Sequence, residues 1–177
     1  MIPVFAACQK YDPSWGDSWK KYIEWSGFHH IQEIVSTDSM LCHSLIETLI
    51  DEDWNFNVHA DNRVHFFHDL DYLKRRIGTA LTRANLLALF EEPTQEVEPL
   101  DGFTFCGYDI LDSYDDISVL VNCGSFPTIY TPDDLNQYGL VSDLNRVRAI
   151  AQAIRDAHPE EPHCCECRVW GIARAQQ

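Results

Sequence analysis

Residues 102–124 read GFTFCGYDILDSYDDISVLVNCG, two runs rich in aromatic and β-branched residues on either side of a group of turn formers. Phe103 to Leu111 and Ile117 to Cys123 suit strands. Asp112, Ser113, Asp115 and Asp116 between them compete for backbone hydrogen bonds, so the stretch predicts a β-hairpin. Phe103 and Phe105 fall on one face of the first run and Cys106, Tyr108 and Ile110 on the other, which predicts an interior strand covered on both sides.

Working outward, Ala84 to Phe90 reads as a further strand, Cys167 to Arg174 as a final one, residues 1–9 as a short edge strand and Ile31 to Val35 as another. Asp17 to Ser26 has the cap and apolar spacing of a helix ended by Gly27. Leu41, Leu45, Ile46, Leu49 and Ile50 allow a helical turn or two. Val64, Phe67, Leu70, Leu73 and Ile77 recur at helical spacing, with Arg75 and Arg76 in the last turn and Gly78 after it, and predict a helix over residues 63–77. Glu91 to Leu100, with two prolines and four glutamates, reads as an exposed connection. Thr131 followed by Pro132 starts a short helix that Gly139 breaks, and Asp143 to His158 is an amphipathic helix with Leu144, Val147, Ile150, Ala151 and Ile154 on one face. The pattern predicts one α+β domain over residues 1–177, with an antiparallel or mixed sheet of about four to five strands packed against helices.

The chain has 177 residues, 45% of them hydrophobic, among them five Trp, seven Tyr and nine Phe, and a formal net charge of −15. A chain of this length buries about 70% of its unfolded surface, so it needs neither a disulfide nor a metal to fold. The charge is spread: residues 31–100 carry 13 acids against 5 bases, and residues 101–177 carry 12 against 5. Such a surface repels nucleic acid and anionic membranes and attracts basic proteins. Seven cysteines, three of them crowded at Cys164, Cys165 and Cys167, fit no regular disulfide framework, and reduced thiols in a cytoplasmic protein are expected. The opening MIPVFAACQK lacks the basic start and apolar length of a secretory signal, and no run approaches a membrane span.

Two clusters have the residue types of metal sites. On a helix over residues 63–77, His65, His68 and Asp69 would share a face, with His59 and Asp61 joining from the preceding loop, an arrangement suited to a metal-dependent hydrolase. The dipeptide His68-Asp69 is similar to the signature of HD-domain phosphohydrolases, whose all-helical pattern the remainder of the chain lacks. His163, Cys164, Cys165 and Cys167 offer an imidazole and thiolates suited to zinc, as in a zinc-stabilised interaction domain, although no second C-x-x-C completes the set. Asp109, Asp112, Asp115 and Asp116 read as a solvated turn, since they lack a calcium loop's spacing and glycine. Phosphate-binding loops and hydrolase signatures are missing.

The expectation that follows is an acidic binding module that occupies a basic protein surface and needs no cofactor. It resembles bacterial immunity and inhibitor proteins in its bulk properties. Asp51, Glu52, Asp53, Asp115 and Asp116 would supply charge, and Trp54, Trp15 and Tyr130 would be exposed aromatic anchors.

Overall fold

The least polar run, ANLLALFE, forms β4 (Ala84–Glu91), seven of whose eight residues are buried, and a six-stranded antiparallel sheet is assembled around it. The computed structural model describes residues 1–10, 29–37, 42, 45, 46, 50–61, 64–121 and 128–176. The expected helix over residues 17–26 and Trp15 lie outside these residues, as does most of the region from Leu41 to Leu49.

The other strands are β1 (Val4–Gln9), β2 (Val58–Asp61), β3 (His65–Phe67), β5 (Phe103–Leu111) and β6 (Arg168–Ala175), in the order β2-β3-β1-β4-β6-β5. Four α-helices are described: α1 (Glu52–Asn57), α2 (Leu70–Ile77), α3 (Leu144–Ala157) and α4 (Pro162–Cys165). The chain is therefore α+β, with six strands among the described residues rather than four to five. Among the described residues, no helix is long and apolar enough to cross a membrane.

Four expectations change. β1 is interior rather than at an edge, paired with β3 on one side and β4 on the other. The hairpin turn after β5 forms, closed by Asp112 N–H to Ile117 O at 3.0 Å and Val119 N–H to Ile110 O at 2.8 Å. Among the described residues its return limb makes a single bridge, Leu111 to Ser118, on the edge of β5 away from β6. Further along that edge Val141 exchanges main-chain hydrogen bonds with Tyr108 in its place; Asn122 and Cys123 lie outside the described residues. Residues 31–35 form no strand but a strap bound by main-chain hydrogen bonds to Gln137 and Tyr138. Finally, the expected helix over 63–77 splits. His65, Phe66 and Phe67 are all buried in β3, a three-residue run that two packed sheet faces accommodate and one helix face cannot. The helix begins only at Leu70, where the Asp69 carboxylate accepts from Tyr72 N–H at 2.6 Å.

β6 is the last strand in sequence, yet it lies between β4 and β5. Since β6 is antiparallel to both, β4 and β5 run parallel to each other, two strand spacings or about 10 Å apart. Residues 92–102 must then run back along the sheet to start β5 at the same end as β4, and they do so across one face. Glu92 turns the chain with φ 43°, its N–H and Oε1 meeting Val169 O and N–H, both at 2.8 Å. Val97 and Leu100 then pack on Ala88, Phe90 and Ala173. The connection expected to be merely exposed thus covers part of the core with its apolar residues and sends its acids outward. Gly171 lets it lie flat, for a Cβ there would come 2.5 Å from Val97 Cγ2.

α3 buries Leu144, Val147, Ile150, Ala151 and Ile154 as its spacing predicts, and Asp143 caps it at Arg146 N–H, 2.6 Å away. Each of the four larger side chains contributes about 1.5–3 kcal/mol by burial, and the Ala151 methyl less than about 1 kcal/mol. Arg146 also grips Asp134 through both carboxylate oxygens, at 2.7 and 2.9 Å, which fixes the short turn at Pro132–Asp134 against the helix. That pair holds the Asp134 carboxyl below its ordinary range.

Candidate functional site

The acidic run Asp51-Glu52-Asp53 opens α1. Asp51 is the cap, accepting from Trp54 N–H at 2.8 Å, and Glu52 and Asp53 stand exposed in the first turn, where the helix dipole favours negative charge. Trp54 is not a surface anchor. It is 2% exposed, edge-on to His65 and Phe67 at 5.1 and 5.7 Å between ring centroids and covered by the Arg76 guanidinium at 5.0 Å. It fixes α1 to the sheet. Two residues on, and so on the opposite side of the helix, Phe56 is 82% exposed, with Ile50 exposed just before the cap. Tyr130 is likewise buried, its hydroxyl donating to Leu120 O at 2.7 Å. The aromatic group that does face water beside the acids is Phe56, which sequence reasoning missed.

Of the proposed ligands around α2, His59 and His68 come together, their exposed rings 5.1 Å apart and edge to face. His65 is buried on β3 against Trp54, and Asp69 is committed to capping α2. Asp61 ends β2. The one-face arrangement fails because residues 65–67 are extended, so that neighbours alternate between faces.

The second cluster also separates. His163 on α4 turns toward the hairpin, its Nδ1 3.6 Å from Asp112 Oδ1 and its ring 5.5 Å from that of Tyr114. Cys164 and Cys167 are buried and Cys165 is half-buried. Burial pushes the Cys167 thiol up to about 11 and the Cys8 thiol, under the strap, up to about 12, so neither is a ready nucleophile near neutrality. Among the described residues, no three His, Cys, Asp or Glu side chains are grouped to hold a metal ion.

The hairpin acids are not a solvated turn. Asp109, Asp112 and Asp115 are buried. Asp112 accepts from Tyr114 N–H and Asp115 N–H at 2.9 and 2.5 Å, so it builds the turn. Asp116, half-buried with φ 57°, has its carboxyl pushed up to about 6, first by burial and then by Asp112. Asp109 is 0% exposed. Its carboxylate accepts from the Ser36 hydroxyl, from the Ser118 hydroxyl at 2.8 Å and from Ile110 N–H at 2.7 Å. None of those donors is charged, and burial pushes the group up to about 7. Of the two hairpin acids expected to face a partner, Asp115 is buried and Asp116 half-buried, so among the named residues the fully exposed acids are Glu52 and Asp53 of α1.

Beside Asp109 the strap makes a second polar tie. Glu33 accepts from Asn85 Nδ2 and Arg174 Nη1, both at 2.7 Å, and the guanidinium lies 5.0 Å from the Tyr138 ring centre. A groove of about 470 Å³ opens elsewhere, between α2 and the start of β5. Its rim carries Lys74 and Asp101, but none of its polar side chains is buried, so it lacks the fixed polar groups that orient a ligand. Compared with protein-family models, curated proteins and solved structures, the chain matches none.

Proposed function

We propose that this chain is a binding module that docks a basic protein through α1, in the manner of immunity and inhibitor proteins. The observation that carries the reading is Phe56, 82% exposed on a helix whose first turn displays Glu52 and Asp53. An aromatic ring with few rotamers loses little entropy when it enters an apolar pocket, and carboxylates beside it meet Lys or Arg at the rim. The overall charge of −15 speeds encounter with a basic surface and suppresses acidic competitors.

A photo-crosslinking phenylalanine analogue at position 56, compared with one at Phe105, tests this in cell extract. The expected product joins position 56 to a protein rich in Lys and Arg and is lost in the Glu52→Lys, Asp53→Lys variant. Association with the captured partner should slow at least about tenfold from 0.1 to 1 M salt, as the screening length contracts from about 10 to about 3 Å. A salt-independent rate, or a product that survives charge reversal, overturns the reading.

A further inference from the structure

The strap of residues 31–37 is laid on the sheet by an unusual set of contacts. Main-chain bonds run from Gln32 N–H to Gln137 O at 2.9 Å, from Val35 N–H to Tyr138 O at 3.2 Å and from Ser118 N–H to Thr37 O at 2.9 Å. Ser36 and Thr37 are fully buried polar residues, and the Thr37 hydroxyl has no hydrogen-bond partner among the described residues. Such a group raises the cost of docking. The Ser36 hydroxyl reaches the Asp109 carboxylate, which Ser118 grips from the hairpin return and which the N–H of Ile110 meets from β5. Two separate segments of chain, the strap and the hairpin return, therefore close on one acid of β5 that no described cation contacts.

We propose that Asp109 is a proton-operated clasp: with its proton on, it holds the strap closed over the sheet, and as the proton leaves, the strap lifts to hydrate the carboxylate. A buried carboxylic acid both donates and accepts among hydroxyls, whereas the anion needs charge compensation or water. Burial already moves the group into the neutral range, to about 7. The charged groups around it do not remove this need. On the strap, Glu33 is paired with Arg174 of β6. On the hairpin, Asp112, Asp115 and Asp116 are themselves acids and supply no compensating cation. Arg168 of β6 pairs with Glu91 of β4, and Trp170 is the β6 residue directly opposite Asp109.

In the lifted state the carboxyl regains its ordinary value of 3.8. Opening then grows by up to tenfold per pH unit between about 4 and about 7 and is flat above that range. Amide hydrogen exchange on the full chain, corrected for intrinsic rates and followed from pH 5 to 8, reads this directly. Protection of Val35 and Ser118 should fall about 50-fold from pH 5 to 7 and level by pH 8, while Leu87 and Ile172 in the sheet stay constant. Asp109→Asn should abolish the fall. Should that variant fail to fold, Ser36→Ala, which removes a donor to the anion, should move the levelling point to higher pH. Protection at Val35 and Ser118 that ignores pH, that falls equally in Asp109→Asn, or that falls in step with the sheet amides overturns the proposal.

Discussion

Gly171→Ala tests whether the crossover of residues 92–102 is held flat on β6. Gly171 has no positive φ among the glycines that do, so alanine suits its backbone and should by itself stabilise by about 0.4–1 kcal/mol through the unfolded chain. Against this, the new Cβ meets Val97 Cγ2 at 2.5 Å, with Phe90 Cβ and Phe105 Cε2 behind it at 3.5 and 3.6 Å. Relief to an ordinary contact near 3.5 Å requires Val97 to move by about 1 Å, and the β-branched side chain has little rotamer freedom to do so. Overpacking of this kind costs about 1–3 kcal/mol, so from the middle of the two ranges the net loss is about 1 kcal/mol, a fall in Tm of a few degrees for a chain of this size. Val97→Ala alone, at a half-buried site, should cost about 1 kcal/mol. In the double variant the new methyl fills the place of the deleted one, and Gly171→Ala should become neutral or stabilising. Urea unfolding of the four proteins, followed by circular dichroism, gives the coupling, expected at about 1–3 kcal/mol in favour of the double variant. Additive costs, or a Gly171→Ala midpoint equal to that of the parent, would refute the close approach.

Asp109→Asn should leave stability unchanged near pH 4 and raise it at pH 8. The native acid keeps its proton to about 7 whereas the unfolded acid loses it near 3.8, so its contribution is complete below 3.8 and is lost as pH rises through 7, by about 4 kcal/mol in total. Urea midpoints at pH 4.5 and 8 check it, and equal gains at both would contradict the linkage. The two aromatics of α1 should behave oppositely: Trp54→Ala costs about 3–5 kcal/mol, whereas Phe56→Ala stays within about 0.5 kcal/mol, as thermal melts would record. A large loss from Phe56→Ala would mean that its ring is packed in solution.

The elements legible in the sequence were those with local causes. α3 announces itself because Asp143 supplies a cap and five apolar residues keep helical spacing on one face, and β4 because an unbroken apolar run has only a doubly covered strand to occupy. The sheet order was not legible. β6 inserts between β4 and β5 more than fifty residues after β5 ends, and no residue in either neighbour records which strand will fill the gap. A distant segment also altered residues 102–124: the turn chemistry is right, but Val141 takes the pairing position beside Tyr108 that a longer local hairpin would have used. His65 to Ile77 failed for another reason. Val64, Phe67, Leu70 and Leu73 fit a helix as well as they fit a strand followed by a helix, and Asp69, placed to cap Tyr72, was the signal that the helix starts late.

The site follows the same division. Trp54 and Phe56 are two residues apart, and on a helix that spacing alone forbids a shared face, so one of them had to point outward wherever the other packed. Which one was decided by β3, whose His65 and Phe67 form the slot that Trp54 fills. For the hairpin acids, position in a turn argued for solvent, yet the strap closes over Asp109 from residues more than seventy positions earlier. A carboxylate in a turn is solvated only when nothing else in the fold covers that turn, and coverage is a property of the whole chain. The charge of −15 therefore overstates the surface field, because part of it is held inside, where it acts on the fold's own closure and not on a partner. The face of α1, with Glu52, Asp53 and Phe56 all open to water, is where charge and an apolar anchor remain available together.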